Sequence, residues 1–270
     1  MLNLPRIALA LALLAATNPI AHAQKPAIRA AASAAAPAAA NLQSDQAKFD
    51  AVLGQAAKFL AAQPAYAVTV QSNWTTSGGG EGKNAYWLTV QRPGKFRVEV
   101  QSGTGKTPEL LCVSDGAKET TLLTTRNLYS RLPAAASGLQ RNKLLRMSLA
   151  GSGLDVLMQP NVVAAVNSQV SDVKYLGMSH VEEIPTHGFQ MRWAGQVVQL
   201  YFVAQGDPLL KQFVRRTEVA TGADTKFEME ATATLTWKLG QQPAPETFAL
   251  SIPENATKVH DIYAALAGDQ

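Results

Sequence analysis

The strongest constraint in this chain is a series of segments in which apolar and polar residues alternate, joined by gaps too short for anything but turns. Tyr66, Val68, Val70, Ser72 and Trp74 alternate with Ala67, Thr69, Gln71 and Asn73. Successive side chains of a strand point to opposite faces, so this pattern fits a strand with one buried face. Tyr86, Leu88 and Val90 repeat it, as do Phe96, Val98 and Val100 against Lys95, Arg97, Glu99 and Gln101. Ser77-Gly78-Gly79-Gly80-Glu81-Gly82, Arg92-Pro93-Gly94 and Asp115-Gly116 supply turns between runs, using residues that turn geometry favours. Further strands are expected at 110–113, 120–124 and 128–132, then at 173–178, 188–193, 197–204, 210–220 and 226–238. About eleven strands result, and hairpin-sized connections between them dictate antiparallel neighbours.

Helical spacing appears at the start of this region. Phe49, Val52, Leu53, Ala56, Phe59 and Leu60 recur at i, i+3, i+4 and i+7, with Ser44 as a capping residue, Asp45 in the first turn and Pro64 at the end. Shorter helical pieces are expected at 139–149 and 161–166, the second opened by Pro160. No strong boundary divides residues 42–262. They read as one mainly β (α+β) domain, a strongly curved antiparallel sheet with helices on one face, followed by a short tail at 263–270.

Composition enters because the chain is 47% hydrophobic but only 16% charged, below the roughly 25% usual for soluble domains. Residues 1–23 account for part of the skew. Arg6, the apolar run Ile7 to Ala16, and Ala21-His22-Ala23 have the layout of a secretory signal peptide, with cleavage expected after Ala23. The run is too short to span a membrane, and no later run is long enough, so the mature chain is expected to be periplasmic without a transmembrane segment. No cysteine lies near the cleavage point, so a bacterial lipid anchor is not expected. Residues 24–41 are mostly Ala with two prolines and read as a disordered linker. The formal charge of +4 is spread along the chain, which excludes a dedicated nucleic-acid binder.

Residues with chemistry of their own form no catalytic pattern. Gly103-Thr104-Gly105-Lys106-Thr107 contains Gly-Lys-Thr, but a phosphate-binding loop needs glycine where Val100 stands, and Pro108 follows where a helix should run. It reads as a β-turn. His180, His187 and His260 lie outside the leader and show no metal-ligand spacing, and Cys112 sits inside the apolar run Leu110-Leu111-Cys112-Val113 as a buried thiol. Glu182-Glu183, on an extended chain, would point to opposite faces. No Gly-x-Ser-x-Gly elbow occurs. No catalytic residue, metal or cofactor is therefore expected. What remains is aromatic surface, with Tyr66, Trp74, Tyr86, Trp87, Phe96, Tyr129, Trp193 and Trp237 among its members. Such side chains either pack the helices or line a cavity suited to an acyl chain.

At these residues a resemblance enters. Arg92-Pro93-Gly94-Lys95-Phe96-Arg97-Val98 after a strand, the Asp115-Gly116 turn, the strand Val197 to Val203, and Trp237 with 245–253 resemble a family of predicted periplasmic proteins of unknown function. That family is similar to the LolA and LolB lipoprotein carriers. The resemblance covers most of residues 42–262 and implies a LolA-like incomplete antiparallel β-barrel wrapped over helices, whose concave face receives acyl chains. It implies Arg92 as the lid-contacting arginine, Phe96 as a cavity-lining aromatic, and a binding face made of Tyr86, Leu88, Val90, Arg92, Phe96 and Val98. Val98 stands where a larger aromatic is expected, and the Ala-rich linker is extra.

The combined expectation is an exported, non-enzymatic protein that binds an apolar ligand, a lipid or lipidated protein, in a half-barrel. The alternative is an envelope interaction or scaffold protein, with an envelope protein partner, whose barrel is filled by its own side chains. A third reading is an envelope hydrolase using His187.

Overall fold

Period-two alternation becomes a single sheet. The structure is a computed structural model and describes residues 36–103, 105, 107–134, 142–149, 152–157, 161–220 and 226–268. The strands are β1 (Ala65–Thr76), β2 (Glu81–Gln91), β3 (Lys95–Ser102), β4 (Leu110–Asp115), β5 (Lys118–Leu123) and β6 (Leu128–Pro133). They continue as β7 (Val170–Val181), β8 (Ile184–Trp193), β9 (Gln196–Val203), β10 (Leu210–Ala220), β11 (Lys226–Leu239) and β12 (Thr257–Lys258). Among the described residues the order is β12-β6-β5-β4-β3-β2-β1-β11-β10-β9-β8-β7. Two meanders thus join where β1 pairs with β11, Tyr66 facing Leu239 and Trp74 facing Ala231. The order does not return on itself, so the sheet is open and not a closed barrel. All eleven expected strands are present. The twelfth, β12, is two residues long and pairs parallel with β6, too short to leave a periodic signal.

Turn chemistry fixes the register. Asp115 Oδ1 accepts hydrogen bonds from the Ala117 and Lys118 amides at 2.8 and 2.7 Å, which holds its carboxyl below the usual range. Ser114 Oγ donates to the Gly94 carbonyl at 2.8 Å, tying that turn to the β2–β3 turn. Glu182 and Glu183 do not lie on an extended chain. Both have positive φ, 49° and 67°, because they form the two-residue β7–β8 turn, and Glu182 pairs with Lys211 at 2.6 Å.

Five α-helices are described: α1 (Ala36–Ala62), α2 (Lys143–Leu149), α3 (Leu154–Leu157), α4 (Val162–Asn167) and α5 (Ile262–Gly268). The expected stripe of α1 is buried, with Phe49, Leu53, Ala56 and Leu60 all in the core. Each large side chain in it contributes about 1.5–3 kcal/mol of burial free energy. The helix starts at Ala36 rather than at Ser44, so the last residues of the expected linker are helical; alanine is the best helix former and Pro37 is tolerated in a first turn. A helix, α5, likewise runs from the buried Ile262, the last residue of the expected domain, into the expected tail. The signal peptide, most of the linker, Thr104 and Lys106 lie outside the described residues.

One cluster of buried residues connects the sheet to the helices, from Phe49 and Leu53 of α1 through Leu145 and Leu154 to Phe189 and Leu235. The α2–α3 link approaches β10 closely at Gly153. A Cβ there would lie 3.1 Å from Leu210 Cδ2 and from Phe213 Cδ2, and its φ of +73° also favours glycine.

Candidate functional site

The register lines up three rows across the face that the helices cover. Tyr66, Val90, Phe96, Ser114 and Glu119 form the first; Val68, Leu88, Val98, Cys112 and Thr121 the second; Val70, Tyr86, Val100, Leu110 and Leu123 the third. Five of the six expected site residues, Tyr86, Leu88, Val90, Phe96 and Val98, therefore share one patch. Each is no more than 9% exposed and belongs to the same core cluster as α1 and α2. In the structure these side chains pack against protein, not solvent.

Arg92 lies apart from that patch, exposed on the β2–β3 turn. Its Nε donates to the Gln63 carbonyl at 3.1 Å and its Nη2 to the Leu60 carbonyl at 3.3 Å. Both acceptors belong to the C-terminal end of α1, where carbonyls lack intrahelical partners and a cation is favoured. The arginine is thus a helix cap. Beside it, burial pushes the Tyr66 phenol up, an effect that Arg92 partly opposes.

The β5 end of the rows is polar. Asn142 Nδ2 donates to Thr121 Oγ1 at 2.8 Å and to Glu119 Oε1 at 3.0 Å, while its Oδ1 accepts from the Leu145 amide at 2.9 Å. Asn142 is therefore both the cap of α2 and its anchor to the sheet. Thr121 Oγ1 also donates to Cys112 Sγ at 3.3 Å. Burial raises the Glu119 carboxyl, against hydrogen bonds that lower it. Burial and the neighbouring Glu119 push the Cys112 thiol well up, which leaves a protonated sulfur with little nucleophilic character.

A second polar spot sits on the same face towards the other side of the sheet. Gly82, Trp74, Ala231, Arg215, Val198 and Met191 form a further row. The Trp74 indole lies over Gly82, where a Cβ would occupy the ring position. Thr217 follows Arg215 on this face, opposite Met229.

Sequence reasoning passed over Glu119, Asn142, Arg215 and Thr217. A signal existed for the last two, because Arg215 and Thr217 have the parity of the buried Phe213 in a strand of alternating pattern. Asn142 offered none, since its role depends on contacts across the fold. His187 is inside β8 rather than before it, and its Nδ1 is 2.9 Å from the Tyr175 hydroxyl. Among the described residues no group of three His, Cys, Asp or Glu side chains could hold a metal ion. No helix among them is long and apolar enough to cross a membrane.

The family model described as predicted periplasmic protein (DUF2092) matches residues 50–260. No curated protein matches the chain. Among solved structures, the chain is similar to an uncharacterized conserved protein from Thermus thermophilus, at 14% identity and TM-score 0.47, covering 78% of this chain and 98% of that one. It is also similar to the lipoprotein LppX of Mycobacterium tuberculosis, at 12% identity and TM-score 0.37, with 76% and 97% covered. A LolA superfamily protein from Nitrosomonas europaea follows at 10% identity and TM-score 0.33, with 74% and 96% covered.

Proposed function

This chain belongs to the family of predicted periplasmic proteins DUF2092, and we propose that it is an exported, non-catalytic protein that binds an apolar ligand against the inner face of its sheet. The ligand class is a lipid or the acyl chains of a lipidated protein. Residues 1–23 act as the export signal, cleaved after Ala23.

The observation that carries this reading is the mismatch between the apolar face and its cover. Three rows of mostly apolar side chains cross β1 to β5. At the β5 end of these rows lies α2, seven residues long and anchored through Asn142 to Glu119 and Thr121, and α3 and α4, of four and six residues, belong to the same buried cluster. Helices this short have no independent stability and hold their places only through packing. Displacing them exposes Leu88, Val98 and their neighbours to a ligand that repays the lost contacts at about 0.8 kcal/mol per buried methylene. Phe96 and Val98 line the site, and Arg92 keeps α1 fixed while the shorter helices move.

One observation favours a second reading. The five inward residues are already buried to 9% exposure or less, as a self-filled scaffold with an envelope protein partner requires. Lipid extraction and mass spectrometry of the protein purified from the periplasm separate the two. The binding reading predicts co-purified or readily acquired acyl lipid; a protein that never carries or takes up lipid is the scaffold.

A further inference from the structure

The end of the β7–β8 hairpin gathers three side chains that take no part in the buried core. Met178 is 54% exposed, the highest value of any large apolar side chain among the described residues. Val181 and Ile184 flank the two-residue turn and the pairing alternates from there, so Met178 faces His187 without mutual backbone hydrogen bonds, their Cα atoms about 4.5 Å apart. His180 lies two residues from Met178 on the same strand face, about 7 Å away. Ser179 and Thr186, whose hydroxyls are 3.1 Å apart, take the opposite face. Phe189, two residues beyond His187, meets Phe49 of α1 edge to face, so Met178, His180 and His187 share the helix side of the sheet. A hairpin gives positions 178, 180 and 187 no regular spacing, which is why the sequence alone does not group them.

His187 Nδ1 is 2.9 Å from the Tyr175 hydroxyl, which orients the ring and leaves Nε2 with no hydrogen-bond partner among the described residues. A histidine held through one ring nitrogen is set up to ligate a metal through the other, with Nδ1–H then donating to the tyrosine oxygen. No third His, Cys, Asp or Glu side chain joins the two histidines in a metal-binding group among the described residues, so the third donor is the Met178 thioether. Two imidazoles and a thioether, without a carboxylate, suit a soft ion such as Cu(I) and not Ca2+ or Mg2+. The Lys48 ammonium, 3.7 Å from the Tyr175 ring centroid, repels a divalent ion roughly twice as strongly as a monovalent one. We propose that Met178 Sδ, His180 and His187 Nε2 form a solvent-facing site for a monovalent copper ion, with Tyr175 as the residue that positions His187. This site is independent of the apolar-ligand reading.

The test titrates the full mature chain, untagged and under anaerobic conditions, with Cu(I) in competition with the chelator bicinchoninate. The site predicts a single copper per chain and a copper-bound sulfur in the X-ray absorption spectrum that Met178→Leu removes. It also predicts an affinity lowered at least about tenfold by each of Met178→Leu, His180→Gln and His187→Gln. Zn(II) should bind at least about tenfold more weakly than Cu(I). Failure to take Cu(I) from the chelator, an affinity that Met178→Leu and His180→Gln leave unchanged, or equal binding of zinc overturns the proposal. A sulfur signal that survives Met178→Leu also overturns it, by assigning the copper to Cys112 or another methionine. Met178 and His180 are both exposed, so their variants decide the matter even where His187→Gln does not fold.

Discussion

Arg92 on the β2–β3 turn donates from Nε to the Gln63 carbonyl at 3.1 Å, so the strand pair that carries Phe96 and Val98 is bonded to the end of α1. Replacing Arg92 by Ala leaves the Leu60 and Gln63 carbonyls to water. The side chain is exposed, so the expected loss is small, about 0.5–1 kcal/mol in urea unfolding, and Lys at this position recovers part of it. An unchanged unfolding midpoint would remove the capping role.

Glu119 gives the fold a pH dependence whose sign follows from burial. Its carboxyl is raised from the ordinary 4.5, so between that value and its raised folded value the folded state holds more protons than the unfolded state. The Glu119 contribution is therefore favourable below about pH 4.5 and is lost as pH rises through the folded value. Glu119→Gln, which still accepts from Asn142 through its amide oxygen, removes this component. Chemical denaturation at several pH values reads it out, and parallel curves for the two proteins would contradict the assignment.

Val98 sits at the centre of the second row with no exposed surface. Val98→Phe overfills the closed core, at a cost of about 1–3 kcal/mol, and narrows the space an acyl chain needs once the short helices move. Uptake of a fluorescent fatty acid should fall at least about tenfold, while Val98→Ile, which adds one methylene, retains most of it. Equal uptake by the Phe and Ile variants would place the ligand elsewhere.

The strands were legible because one of their faces is buried and the other is not. Tyr66 to Trp74 and Phe96 to Val100 alternate cleanly, and their turns carry Gly, Pro and Asp where turn geometry asks for them. β12 was not legible, since two residues have no period, and its partner β6 is distant in sequence. The start of α1 was misplaced because Ala-rich sequence reads equally as linker or helix. Of the site, the parity of Tyr86, Leu88 and Val90, and of Phe96 and Val98, is visible in the sequence, while their grouping as one binding face comes from the resemblance and their shared row from the register. Arg92 was singled out by resemblance, but its capping geometry depends on where α1 ends in space. Asn142, which binds Glu119, Thr121 and its own helix at once, is visible only in three dimensions.

Amide hydrogen exchange offers an independent check on the cover. With stability supplied mainly by packing, α2, α3 and α4 should exchange faster than β1 to β4, and a bound acyl ligand should alter protection in those helices first. Uniform exchange across helices and sheet would argue that the core opens only by global unfolding.

The most direct measurement is photo-crosslinking with a fatty acid that carries a diazirine near its chain end, followed by peptide mapping. Binding against the inner face predicts saturable adducts on the β2 and β3 segments that contain Leu88 and Val98, competed away by unlabelled palmitate. Adducts confined to the outer face or the termini, or the absence of saturable labelling, would contradict it.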